Sequence, residues 1–259
     1  MIDAMVLAGG LNNGPLQSCS KVPYEALIEI GPNPMINYVI NALQNSGQVG
    51  RVIVVGPAEL KSVLPPGVML VESGYTVMEN LHRGCSLLKE RFLLATGDIP
   101  LLTPEVVTGF LSLCGDKQAD IYFPLVTRES VEKMFPGARR TYIKFKEGIF
   151  TAGNLFLINP REVERCLAIG QELVDLRKKP LSLARRVGLV TLTKLIIHQL
   201  SLTEAQNRAS RLLGIDGKAV ACAFPELGMD VDKPDDLQLI RQILVQESKK
   251  MTVNNLCRA

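Results

Sequence analysis

Short apolar runs alternate along this chain with stretches whose apolar residues recur at helical spacing. The runs Ala4–Ala8, Arg51–Gly56, Val68–Glu72, Phe92–Thr96, Ile121–Val126, Thr141–Lys146, Asn154–Ile158 and Ala219–Ala223 read as strands. Between the first two, Ile36, Val39, Ile40 and Leu43 fall at i, i+3, i+4 and i+7 and predict a helix over Met35–Gln44. Pro34 suits a first turn, where its missing N–H costs nothing, and Pro104 opens Glu105–Leu113 in the same way. The alternation predicts an α/β fold, a mostly parallel central sheet with helices on its faces.

From about Pro160 to Gly214 the pattern becomes helical, with Arg and Lys interleaved among Leu, Val and Ile, and Gly170, Pro180 and Gly188 read as breaks. Ala219–Ala223 then returns to the sheet, a last helix runs from Pro234 to about Ser248, and Lys249–Ala259 reads as a frayed tail. With no internal repeat and no linker, residues 1–259 read as a single domain carrying a helical insertion or subdomain over 160–214.

Composition narrows the function. With 259 residues, 47 % of them hydrophobic, the chain can bury a sizeable core. A net charge of +3, no Trp and 5 % aromatic residues give no footprint for nucleic acid. Cys19, Cys85, Cys114, Cys166, Cys222 and Cys257 form no CxxC pair and read as reduced thiols of a cytoplasmic protein. His82 and His198 are the two histidines, too few to favour a Ser-His-Asp or Cys-His mechanism. No signal peptide is expected, and Leu189–Leu202, interrupted by Lys194 and His198, is too short and polar to span a bilayer.

Three motifs carry chemistry. The first strand delivers Leu7-Ala8-Gly9-Gly10 into a loop, where glycine lets backbone amides approach an anion closely; the plain alternative is a tight turn. The strand Phe92–Thr96 ends in Gly97-Asp98-Ile-Pro100, placing a carboxylate at the carboxyl edge of the sheet, where ligands gather. Asp98 suits Mg²⁺, which takes one or two carboxylates plus phosphate oxygens; otherwise it caps the next turn. In Asp230-Val-Asp232-Lys-Pro234 the alternation puts two carboxylates on one face. Either aspartate completes a metal site with Asp98, or Asp232 is an N-cap for the last helix.

Together these segments resemble the MobA-like nucleotidyltransferases, whose fold is a Rossmann-like α/β sandwich of the GT-A type. Leu7-Ala-Gly-Gly10 is similar to the family's opening loop, Ala26-Leu-Ile-Glu-Ile-Gly-Pro-Asn-Pro-Met-Ile36 to its Ala-Leu-Leu stretch, and Gly97-Asp98-Ile-Pro100-Leu to its metal-binding Gly-Asp-x-Pro-Leu. Ala152-Gly153-Asn154-Leu-Phe resembles its acceptor-binding strand, and Asp230-Val-Asp232-Lys-Pro234-Asp-Asp236-Leu237 its closing acidic motif. The resemblance covers most of the chain outside 160–214. It implies an NTP bound by Leu7, Ala8, Gly9 and Gly10, Mg²⁺ held by Asp98 with Asp230 or Asp232, and an acceptor oriented by Gly153 and Asn154. It also places Asn80 and Arg83 in a loop touching base and sugar; their plain reading is to cap and solvate a helix.

The departures are electrostatic. Gly14, Glu25 and Asn33 stand where the family carries Arg, Lys and a further basic residue. Each lost cation near a triphosphate costs on the order of a few kcal/mol at about 4 Å in a partly screened site. Lys21 or Arg83 is the candidate to substitute from another backbone position.

The resemblance implies transfer of an NMP group to a small phosphorylated acceptor, such as molybdopterin or a sugar phosphate, with pyrophosphate released. Asp98 and Lys21 are then the catalytic candidates. A second reading is a binding module for a nucleotide or nucleotide-sugar that has lost its cations. A GT-A glycosyltransferase is a third, but Thr96-Gly97-Asp98 lacks the first acid of Asp-x-Asp. No Gly-Lys-Ser/Thr follows Gly9, which excludes a P-loop. In the insertion, Arg177-Lys178-Lys179 and Arg185-Arg186 accompany Leu181, Val187, Leu192, Leu195 and Ile196 at roughly helical spacing. That pattern suits a lid over the crevice or a homodimer contact better than a membrane surface.

Overall fold

The computed structural model describes residues 1–116, 118–176 and 188–256. β1 (Ile2–Leu7) lies between β4 (Val49–Gly56) and β6 (Phe92–Thr96), parallel to both. The nine-stranded sheet continues outward from β4 to β5 (Met69–Glu72) and from β6 to β10 (Leu155–Ile158), β7 (Ile121–Thr127), β9 (Gly148–Ala152) and β8 (Ile143–Phe145). β11 (Gly217–Cys222) pairs with the other side of β7, in parallel. β10 and β9 run against the remaining strands, so the sheet is mixed but mostly unidirectional. A ribbon of β2 (Glu29–Ile30) and β3 (Asn33–Pro34) stands apart.

The central strands are apolar on both faces because both are covered. Alternation along β1 sends Ala4 and Val6 into one core and Met5 into the other. The first core packs against α1 (Met35–Asn45), α3 (Pro104–Leu113) and α8 (Pro234–Leu256). Ile36, Val39, Ile40 and Leu43 are fully buried, as their spacing predicts. The second core packs against α2 (Val77–Cys85) and α5 (Pro160–Leu176). Thr76 and Thr103 cap α2 and α3 by accepting from the amides of Glu79 and Val106, and Pro104 holds the first turn of α3.

The helical stretch departs from expectation at Gly170, which α5 runs straight through; the residue lies against Met78, where a side chain would collide. Gly188 does break the chain, at φ 102°, before α6 (Leu189–Ile196). A capping box between Ser201 and Glu204 starts α7 (Leu202–Leu213), and Gly214 in the left-handed region ends it. α8 continues to Leu256 rather than fraying after Ser248, because Gln246–Lys250 contains good helix formers and neither Gly nor Pro. α4 (Arg128–Met134) and β9 were not expected. Arg177–Lys179, Pro180, Leu181, Arg185, Arg186, Val187 and Cys257 lie outside the described residues. Among the described residues, Cys19, Cys85, Cys114, Cys166 and Cys222 form no disulfide. No helix among the described residues is long and apolar enough to cross a membrane.

Phe110 is fully buried in the first core, so Phe110→Ala is expected to lower stability by about 3–5 kcal/mol. Ser201→Ala, which removes a cap, should cost about 0.5–2 kcal/mol. Urea unfolding of the two variants measures both.

Candidate active site

The loops after β1 and β6 meet at the carboxyl edge of the sheet. Ala8 donates its amide to Val55 O (2.8 Å), and Gly97 donates to Leu7 O (2.9 Å). The approach is close: a Cβ at Gly97 would sit 3.2 Å from Leu7 O, and one at Gly9 3.0 Å from Asn80 Nδ2. Residues 10–25 then leave and return as a closed loop. At its neck Glu25 N donates to Gly10 O (3.0 Å) and Asn12 N to Pro23 O (2.9 Å). The buried Asn12 side chain donates across the loop to Ser20 O and Val22 O. Lys21 lies exposed on this loop, its Nζ donating to Gln17 O at 3.0 Å. The Glu25 carboxylate turns back over the glycines, 3.2 Å from where a Gly10 Cβ would be.

The acidic segment closes onto the same edge. Val231 N donates to Asp98 O (2.9 Å), and the Thr96 hydroxyl donates to the Asp98 carboxylate. Arg140 joins two aspartates, Nη1 to Asp230 at 2.7 Å and Nη2 to Asp236 at 2.8 Å. With the Arg140 and Asp236 side chains 7 % and 9 % exposed, this fork lies in a low-dielectric environment. The other oxygen of Asp236 accepts from Asp232 N and Lys233 N. The last helix is therefore capped from within its first turn; Asp232, expected as a possible N-cap, donates its own amide instead, and its side chain is exposed.

Asp98 and Asp232 thus flank the Gly9-Gly10 loop together with Asp230 and Glu25, a crowded set of carboxyls. Burial, then the charges of Asp232 and Glu25, push the Asp98 carboxyl up to about 6. Burial, then Asp98 and Asp232, push Asp230 up to about 7 against the pull of Arg140. Burial and Asp232 also raise Glu25. Among the described residues, no three His, Cys, Asp or Glu side chains are arranged to hold a metal ion by themselves.

The remaining expected residues are tied into the scaffold. Asn80 is buried, and its Oδ1 accepts from Gly74 N at 2.6 Å. Arg83 pairs with Glu79 at 2.6 Å and donates to Glu72 O. The Asn154 amide N–H and Nδ2 both donate to Leu227 O, and its carbonyl accepts from Thr96 N, stitching β6 to the turn Pro225–Gly228. Gly153 is packed so tightly that a Cβ would reach 2.7 Å from Pro124 Cγ. Sequence reasoning missed Arg140: nothing around Arg139-Arg140 marks it, because its two partners lie 90 and 96 residues away. Asp236 was visible only as part of an acidic motif.

A glycine-rich turn and an aspartate thus meet at one edge of a mostly parallel sheet in an α/β protein. The chain belongs to the family of the MobA-like NTP transferase domain, whose model matches residues 4–187. A hypothetical transferase from Thermus thermophilus is 34 % identical, with a TM-score of 0.82 over 92 % of this chain and 100 % of that one. Two more distant structures share the fold. A 4-diphosphocytidyl-2C-methyl-D-erythritol synthase from Anaerococcus prevotii is 10 % identical, with a TM-score of 0.57 over 94 % of this chain and 96 % of that one. A nucleotidyl transferase from Methanothermobacter thermautotrophicus is 18 % identical, with a TM-score of 0.59 over 95 % and 99 %. No curated protein matches the chain.

Two predictions follow from the electrostatics. Arg140→Met leaves Asp230 and Asp236 without their cation and is expected to cost about 3–5 kcal/mol, read by urea unfolding at neutral pH. Second, Asp98 and Asp230 hold their protons to higher pH when folded than when unfolded. Their contribution to stability is therefore complete below about pH 4 and lost as pH rises through 6 and 7. Melting temperatures measured from pH 4 to 8 should fall across that window, and Asp98→Asn should flatten the decline.

Proposed function

We propose that the protein is a cytoplasmic nucleotidyltransferase that moves an NMP group from an NTP to a small phosphorylated acceptor and releases pyrophosphate. The observation that carries this reading is the meeting of the Gly9-Gly10 loop, Asp98 and the Asp230–Asp232 segment at one sheet edge, in a chain of this family. The donor set suits Mg²⁺, since hard carboxylate oxygens crowd there, their carboxyls raised first by burial and then by neighbouring carboxylates. Asp98 would hold the ion with Asp230 or Asp232, and the bound ion would supply charge neutralisation at the phosphates.

In this reading the amides of Gly9 and Gly10 orient phosphate oxygens, with Leu7 and Ala8 behind them. Asn80 holds the Gly74 turn beside Gly9, and Arg83 braces the same turn through Glu72 O and Glu79. Gly153 and Asn154 set the acceptor side. An acceptor phosphate oxygen, already ionised, attacks the α-phosphorus in line, so no histidine is needed as base. Catalysis is then positioning and charge stabilisation, with Lys21 on the loop as the mobile cation. Molybdopterin and sugar phosphates are the acceptor classes the family suggests.

One observation favours a second reading, a nucleotide-binding module without turnover: the Glu25 carboxylate overhangs the loop that would cradle phosphate. Pyrophosphate release with Mg²⁺, each of the four NTPs and a panel of phosphorylated acceptors separates the two. Transfer predicts release with at least one pair, reduced a hundredfold or more by Asp98→Ala. Nucleotide binding in calorimetry with no release in any pair would leave the binding module. Glu25→Lys replaces a repulsion by an attraction and is expected to tighten NTP binding roughly tenfold or more at low salt.

A further inference from the structure

Beneath α2 and α5 the second core does not close. A cavity of about 330 Å³ remains between these helices and strands β6 and β10, a size within the range of small-molecule pockets. One end reaches Leu7, Thr96 and Asn154, the sequence neighbours of Ala8, Gly97 and Gly153 at the candidate site. The other end reaches Asp120 and Asn159. Asn154 and Asn159 bracket β10, so the cavity follows that strand for roughly 16 Å at about 3.3 Å per residue.

Its walls between those ends are apolar, formed by Leu81, Leu94, Phe156, Ile158, Val163 and Cys166. At the far end the polar groups are already engaged: the Asp120 carboxylate accepts from Asn159 Nδ2 (3.3 Å) and from Asp216 N (2.9 Å). The carboxylates of Asp120 and Glu162 line that end and repel a phosphate, so the anionic end of a ligand belongs at the other end, which adjoins the candidate site through Thr96 and Asn154. Gly170 helps keep the space open, because a Cβ there would come 2.8 Å from Met78 Cε and force that side chain to shift.

We propose that this cavity binds the apolar body of the acceptor: an alkyl or prenyl phosphate whose chain lies along β10 and whose phosphate rests at the Thr96–Asn154 end. The acceptor role rests on the transfer reading above; the binding of the chain does not. In the transfer step, an oxygen of the alkyl phosphate forms a bond to the α-phosphorus of the NTP. The bond from that phosphorus to the bridging oxygen breaks, and pyrophosphate leaves with the electron pair. The product is a nucleoside diphosphate esterified by the chain.

The test is calorimetric titration of the full chain, without nucleotide, with glycerol phosphate and with butyl, hexyl, octyl and decyl phosphates below their micelle-forming concentrations. Affinity is expected to rise about fourfold per buried methylene and to level off once the cavity is filled. Gly170→Leu and Val163→Phe should each abolish that dependence on chain length, with thermal melting confirming that at least one of them folds. Affinity independent of chain length overturns the proposal, as does competitive displacement of decyl phosphate by an NTP, which would make the space part of the nucleotide site. Pyrophosphate release is then assayed with decyl phosphate and each NTP. Release supports the acceptor role. Chain-length-dependent binding without release overturns the acceptor role but keeps the cavity as an apolar-chain site; release with another acceptor of the panel then leaves the transfer reading standing, and release with none overturns that reading as well.

Discussion

The acidic edge of the sheet is held by the guanidinium of Arg140, which grips Asp230 with one nitrogen and Asp236 with another. Asp236 in turn accepts the amides that begin α8, so the same fork fixes where the last helix starts. Val231, between the paired residues, donates to the backbone of Asp98. Four remote pieces of chain are thereby tied together: charge-assisted bonds join the loop before β8, the acidic segment and the last helix, and a backbone bond from Val231 adds the loop after β6. Removing one partner of such a set leaves charges in a low-dielectric site, which costs far more than an exposed ion pair contributes.

This arrangement gives the edge shape but leaves it short of positive charge. Asp98, Asp230 and Glu25 each resist ionisation, chiefly through burial and then through neighbouring carboxylates, Asp232 acting on all three. Rigid anchoring prevents the carboxylates from relaxing apart: Asp98 receives the Thr96 hydroxyl, and Gly97 is wedged against Leu7 and Ala8. A site held this way favours ligands that arrive with cations and disfavours bare polyanions.

The fold was legible wherever one residue type does one job. The strands around β1 announced themselves as unbroken apolar runs because both faces are covered, and α1 as a single apolar stripe. Short elements were not legible: β2, β3 and β9 exist through pairing partners, which periodicity does not reveal. Gly170 misled because its role is close packing against Met78, not chain breaking. At the site, Gly9, Gly10, Asp98, Asp230 and Asp232 stood out by local pattern, and the structure brings their segments to one edge. Arg140 did not, since its meaning comes only from its two distant partners. Glu25 was visible as a charge reversal, but its reach over Gly10 was not.

The loop 10–25 is fastened at its base by two backbone hydrogen bonds that pair Leu11 with Tyr24, and Asn12 spans it from inside by binding Ser20 O and Val22 O. The loop therefore closes at its own neck, while Leu16, fully buried, anchors it in the first core. Its outer residues, including Gly14 and Lys21, are exposed, so length and charge there can drift while the sheet edge beneath keeps its register. Sequence change at that rim can proceed without any renegotiation of the core.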